Sequence, residues 1–338
     1  MASCFFTFDL TMRFRLIFIV CAMQLSVMSC HNEADPTPTG DMDYRQKMRE
    51  FVIGISEYAK GIQPDFVIIP QNGIELVSSD GQENGAPHAA YLDAIDGNGQ
   101  EDLFYGYSND DKATPKADNE YLISFLDIAK SAGKTILVTD YCSTHSKMSD
   151  SYSRNAAKGY ISFAADRRGL DDIPDYPQPI AFENNNDISS LAEARNFLFL
   201  INPEQFISKA DFISAVTSTN YDLIVMDFFF QDGVAFTADE VNQLRNKASG
   251  GKRMVIAYMS IGEAEDYRYY WLPEWNTNKP SWMDAENPDW AGNYKVQYWN
   301  PEWQAIIFGK EDSYVQKILD AGFDGVYLDI IDAFEYYE

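Results

Sequence analysis

Asp140, Asp166, Asp227 and Asp329 each close a short apolar run, in "KTILVTDY", "GYISFAAD", "YDLIVMDF" and "GVYLDI". Asn72, Asn202, Ser260 with Glu263, and Trp299 close four more, in "DFVIIPQNG", "NFLFLIN", "RMVIAYMSIGEAEDYR" and "KVQYWN". When parallel strands share one rim, residues at their carboxyl ends converge on one site. This rim holds several acids, few bases and nearby aromatics (Tyr141, Tyr258, Tyr298, Trp299). Carboxylates bind sugar hydroxyls and supply the paired groups of glycoside hydrolysis, and aromatic faces stack on sugar rings. A single Asp after a strand is as readily a helix cap or a structural support. The acidic, aromatic rim as a whole is harder to explain by capping.

Other chemistries fit less well. Only His31, His88 and His145 occur, none in an HExxH-like spacing, so a histidine-rich metal site is not expected. A carboxylate site for Ca²⁺ or Mg²⁺ stays open as an alternative; otherwise the pattern calls for no metal and no cofactor. No G-x-S-x-G elbow is present, and Cys142 neighbours His145 only in sequence.

The elements that must position this rim alternate along the chain. Met48, Phe51, Val52 and Ile55 follow helical spacing, "EYLISFLDIAKSAG" reads as a helix closed by Gly133, and Thr237 with Glu240 has capping-box spacing. The eight runs above are mostly apolar throughout, which predicts burial on both faces and a parallel sheet covered by helices. Eight such strands in some 300 residues predict a (β/α)8 TIM barrel. A doubly wound sheet is the runner-up, weakened by the lack of a glycine-rich phosphate loop after any strand. "IPDYPQPIAFENNND" reads as a linker or long surface connection.

The chain's start predicts export. Arg13 and Arg15 precede an apolar run from Leu16 to Val27, followed by Ser29 and Cys30, so residues 1–29 read as a signal peptide starting at Met12. "VMSC" resembles a bacterial lipobox, with Cys30 as the lipidated residue; a cleaved, released protein is the alternative. Residues 30–41 then form a flexible tether and 42–338 the barrel domain. This organisation predicts a cell-envelope lipoprotein that touches membrane only through its anchor.

Losing Asp9, Arg13 and Arg15 with the leader takes 52 acids and 26 bases to 51 and 24, a net charge of −27. Such a surface repels nucleic acid and anionic membranes and attracts a cationic ligand. With Cys142 left as the single free thiol there is no disulfide framework. A core built from the 46% hydrophobic and 14% aromatic residues must carry stability.

"YMSIGEAEDYRYYW", "GFDGVYLDIIDAFEYY" and the Trp-rich stretch between them resemble glycoside hydrolase family 114, which includes endo-α-1,4-polygalactosaminidases. The resemblance covers roughly Asn196 to the C-terminus. It implies that "GVYLDI" is the family's fifth barrel strand. The pieces that should follow it, from helix "YRQKMREFVIGISEYAKGIQ" through strand "GYISFAADRRGLDDI", stand before it instead. The implied account is a circular permutation, with the usual ends joined near residues 174–190. The rival is a truncated gene behind an unrelated domain.

By the same resemblance the reaction is hydrolysis of an α-linked galactosamine-containing polysaccharide, a substrate that is cationic if its amines are free. Asp329 matches the family's strand-five aspartate, as nucleophile or base. Glu101, in "QEDLFYGY", matches its later glutamate as general acid, a role that needs a raised pKa. Asp227, Asp140, Tyr258, Glu263, Asp332, Asn72 and Trp299 are candidate substrate-binding or supporting residues. Glu265 and Arg268 are read either as part of this binding set or as a structural ion pair. The competing function from another class is a non-catalytic glycan-binding lipoprotein on the same barrel.

Overall fold

The computed structural model describes residues 42–231 and 233–338. The leader, Cys30 and the tether lie outside the described residues. Helix α1 (Tyr44–Ile62) buries Met48, Phe51, Val52, Ile55 and Ala59, the stripe its spacing predicts. It leads to β1 (Val67–Pro70), α2 (Ala89–Ala94), β2 (Gly97–Glu101), α3 (Lys116–Ser131), β3 (Thr135–Tyr141), α4 (His145–Lys158) and β4 (Ile161–Ala165). Then come β5 (Leu198–Leu200), α5 (Lys209–Thr217), β6 (Leu223–Asp227), α6 (Ala238–Leu244) and β7 (Met254–Ser260). An excursion carries β8 (Glu263–Glu265), β9 (Met283–Glu286) and β10 (Asn293–Val296) before α7 (Pro301–Ile307), α8 (Tyr314–Asp320), β11 (Gly325–Asp329) and α9 (Phe334–Tyr337). Thr237 and Glu240 cap α6 reciprocally, as their spacing predicts.

Among the described residues eight strands run parallel in two sheets, β1-β11-β7-β6-β5 and β2-β3-β4. A parallel bridge between Gln71 and Gly99, with Asn72 N donating to Gly99 O at 2.9 Å, joins them at the β1/β2 seam. At the opposite seam β4 and β5 lie side by side without a ladder. The larger sheet curls. Phe199 on β5 and Tyr327 on β11 stand three strands apart, yet their ring centroids are 5.1 Å apart. The fold is therefore mixed α/β with parallel sheets in a barrel-like arrangement.

One strand prediction needs correction. "KVQYWN" supplies no parallel strand; β10 belongs to a separate antiparallel sheet, β8-β10-β9. The eighth parallel strand is β2, "GNGQE", which has no apolar side chain and so lacks the usual signal. Its first four residues are buried nonetheless, because Tyr327 fills the space beside Gly99.

The connection between β4 and β5 is ordered. Asn184 Nδ2, Arg195 N and the fully buried Lys247 Nζ all donate to Asp222, just before β6. The later part of the segment is thereby tied to the amino end of β6.

Candidate active site

Strand register decides which side chains share the inner face. The pairings Glu101 with Thr139, Asp227 with Tyr258, Tyr258 with Tyr327, and Asp329 with Ser260 put these residues on one side of their sheets, because paired residues in a ladder point the same way. Glu101, Asp227 and Asp329 are the last residues of β2, β6 and β11, and each is only partly buried. They line the inner mouth, where water reaches them.

Three neighbouring strands leave this mouth through left-handed residues: Asn72 (φ 57°) after β1, Asp102 (φ 58°) after β2 and Ile330 (φ 57°) after β11. For β-branched Ile330 this conformation costs on the order of 1–3 kcal/mol, a strain that clusters at functional sites. It turns the chain sharply, so that the amide of Ile330 donates back to Asp329 Oδ1 at 2.9 Å.

Glu101 is held from both sides. Tyr141 Oη donates to Oε1 in a short hydrogen bond, and Asn72 Nδ2 donates to Oε2 at 3.0 Å. Asn72 Oδ1 in turn accepts from the Glu101 amide at 3.1 Å. Burial first, then the charge of Glu101, raises the Tyr141 phenol well above its usual value, so it stays a donor.

Asp329 is held by Tyr258, whose hydroxyl donates to Oδ2 at 2.5 Å. Its carboxyl titrates near 7 because burial, and next the negative charge of Glu101, disfavour ionisation. That influence makes the two carboxylates electrostatic neighbours. Asp332, in the turn beyond Ile330, is also pushed up to about 7 by burial, then by Glu335, with Lys295 opposing.

Asp227 is clamped by Arg268, which donates to both of its oxygens at 2.8 Å. Arg268 also donates to Glu265 at 2.6 Å, so the ion pair extends to a third residue. Tyr267 donates to Glu265 at 2.6 Å and is 60% exposed, with the Arg268 guanidinium 5.1 Å from its ring centroid.

Three predicted site residues are held by their own partners. Asp140 points away from the mouth and is fully buried, accepting from Phe104 N, Tyr105 N, Ser151 Oγ and Asn155 Nδ2. Glu263 is sealed under the antiparallel sheet by Lys295, Asn287 and Asn293. Trp299 packs between Tyr44 and Tyr337, at 5.2 and 4.7 Å. Asp140 faces away because alternation along a strand sends every second side chain outward. Tyr298 is fully buried, its hydroxyl donating to Tyr44 O.

Sequence reasoning overlooked Arg168 and Lys295, and gave the neighbouring Asp102 no role. Arg168 donates to Asp102 at 2.8 Å, which draws that carboxylate aside and leaves Glu101 facing the mouth. The strained exit of Asp102 has no sequence signal, since Asp tolerates but does not announce a left-handed φ. Burial and the Asp140 charge push the Cys142 thiol up, so it is no nucleophile. A hollow of about 550 Å³ lined by Tyr269, Trp275 and Trp282 touches neither Glu101 nor Asp329. Chemistry, not volume, marks the site.

Carboxylates and tyrosines thus share the inner mouth of a barrel-like α/β scaffold. Residues 204–337 match the model of glycoside-hydrolase family GH114. Asp329 lies inside the matched segment and Glu101 outside it. An uncharacterized protein of Methanocaldococcus jannaschii is 42% identical over 158 residues, 46% of this chain and 42% of its own. Uncharacterized proteins of Deinococcus radiodurans and Thermotoga maritima are 42% and 40% identical over 123 and 122 residues. Those matches cover 36% of this chain and 37% and 36% of theirs. The chain spans less than half the length of each of these relatives.

Proposed function

We propose that the protein hydrolyses an α-linked galactosamine-containing polysaccharide, or a related hexosamine polymer, with Glu101 and Asp329 as the reacting pair. The observation that carries this reading is the placement of these two carboxylates, each the last residue of its strand, at one inner mouth. β1 alone stands between their strands, so their backbones are about 10 Å apart at ~4.8 Å per strand. Side chains converging inside a curved sheet come closer, within the roughly 5–10 Å that glycoside hydrolysis uses.

Asp329 acts as nucleophile or base and Glu101 protonates the leaving oxygen. The raised pKa of Asp329 favours a second assignment with the roles exchanged. Asp227, Tyr258, Asp332 and Asn72 support or bind substrate around the pair, and the net negative charge draws in a cationic polymer.

The test is oligosaccharide release from deacetylated and N-acetylated galactosamine polymers by wild type, Asp329→Asn and Glu101→Gln. Both variants are expected to lose at least about 100-fold in kcat; equal release by all three proteins sinks the pair. An activated aryl glycoside separates the roles, because a good leaving group needs no proton and rescues only the variant lacking the acid.

We read the scaffold as a circularly permuted (β/α)8 barrel. The ladder-free β4/β5 seam, crossed by residues 174–190, supports this as the place where the usual ends meet. Residues 1–29 we read as a leader and Cys30 as the lipid attachment point, placing the enzyme on the cell envelope. Mass spectrometry of the mature N-terminus in a bacterial host tests that assignment.

A further inference from the structure

Arg168 sits in the turn after β4, with its guanidinium 4.1 Å from the centroid of the Tyr141 ring. The group is fixed in place by three further contacts. Nη2 donates to Asp102 Oδ1 at 2.8 Å and to the Gly106 carbonyl at 2.7 Å, and Nε donates to Asp110 at 2.5 Å. Gly106 takes φ 119° and has no room for a β-carbon, because the Asp102 carboxylate already fills that space. The loop after β2 is thus shaped around the guanidinium.

We infer that Arg168 is a positioning residue for Glu101, acting through Tyr141. The Tyr141 ring has one polar atom, and it donates to Glu101 Oε1. A cation stacked on the ring limits how far it can tilt, and it favours the planar guanidinium over an ammonium. The same guanidinium draws Asp102 away, so the carboxylate next in sequence does not compete for the Tyr141 hydroxyl. Glu101 is therefore aimed from two directions, by Asn72 at the exit of β1 and by the Arg168–Tyr141 stack from β3 and β4. A purely structural role, tying the β2–α3 loop to β4, would stabilise the fold without any particular effect on the chemistry of Glu101.

This inference rests on Glu101 belonging to the reacting pair, and the experiment separates the two claims. Full-length protein is assayed as wild type, Glu101→Gln, Tyr141→Phe, Arg168→Met, Arg168→Lys and the Tyr141→Phe/Arg168→Met double variant. The substrates are a galactosamine oligosaccharide and a nitrophenyl glycoside of the same sugar. Arg168→Met is expected to lower kcat on the oligosaccharide about 10- to 100-fold, the scale of a small misplacement, with KM changed less than about threefold. Its response to the activated leaving group should match that of Glu101→Gln, whichever role Glu101 holds. The double variant should be no slower than Tyr141→Phe alone, since both changes cut the same connection.

Arg168→Lys keeps a charge opposite Asp102 and Asp110 but lacks the flat fork. It serves if the methionine variant unfolds, and it should remain at least about threefold below wild type. Multiplying defects in the double variant, a change in KM alone, or wild-type turnover by Arg168→Lys overturns the inference. If Glu101→Gln and Tyr141→Phe are slow while Arg168→Met is not, only the inference fails. Full activity of Glu101→Gln removes the pair and the inference with it.

Discussion

The hydroxyl of Tyr327 on β11 occupies the space that a β-carbon on Gly99 of β2 would need. Two strands from different sheets thus share one volume in the interior, just beneath the last residues of both strands, Glu101 and Asp329. This packing lets a strand with no apolar side chain sit in the core. It also keeps the two carboxylates at one level.

Gly99→Ala should therefore be costly. The added methyl must push the Tyr327 ring, which packs on Phe199, so overpacking of about 1–3 kcal/mol is expected in urea unfolding. Tyr327→Phe should behave oppositely. The Tyr327 hydroxyl is buried with no hydrogen-bond partner among the described residues, so removing it should leave stability unchanged or raise it by about 1 kcal/mol. A clear loss of stability in Tyr327→Phe would refute this account of the interior.

Asp140→Ala is expected to harm the fold rather than the chemistry. It strands four buried donors, Phe104 N, Tyr105 N, Ser151 Oγ and Asn155 Nδ2, at a combined cost of about 3 kcal/mol or more. The melting temperature should fall by many degrees, while KM of the remaining folded enzyme stays at its wild-type value. A KM effect at unchanged stability would return Asp140 to the substrate site.

Stability should fall as pH rises from about 4 to about 7. Asp102, Asp329 and Asp332 each titrate near 7 when folded, against 3.8 for the free side chain. Within that window the folded state holds more protons than the unfolded state, so raising the pH favours unfolding. Below it both states are protonated, and stability from these groups is fully present; above it the loss is complete. After solvent screening about 1–2 kcal/mol per group is expected, read by urea unfolding at pH 5 and pH 8. Asp329→Asn should flatten the slope, and an unchanged slope counts against a raised Asp329.

Tyr258→Phe removes the hydroxyl that favours the ionised form of Asp329. The Asp329 carboxyl should then titrate higher still, moving the acid limb of kcat/KM toward alkaline pH, with about a 10-fold loss near neutrality. A pH profile that drops uniformly without moving would mean that Tyr258 positions Asp329 but does not tune it.

Lys247→Met should unfold the amino-terminal side of the strands. It leaves the fully buried Asp222 carboxylate without its cation, at about 3–5 kcal/mol. Restored stability on adding Asp222→Leu would identify the lone charge as the cause.

Local rules were enough for much of this protein. Apolar runs marked seven of the eight parallel strands, the stripe of α1 was plain in its spacing, and Asp329 stood at the end of a buried run as hydrophobic periodicity requires. Strand β2 was illegible, because its burial comes from the ring of Tyr327 and not from its own side chains. Tertiary structure alone decided which acids face the mouth. Asp140 and Asp329 close runs that look alike, but register sends one outward into four hydrogen bonds and the other inward beside Glu101. Likewise, nothing local distinguishes Glu101 from Asp102. Their different fates depend on a left-handed φ at Asp102 and on Arg168, some 66 positions further along the chain. Periodicity depends on neighbours in sequence, whereas the direction and partner of a carboxylate depend on neighbours in space.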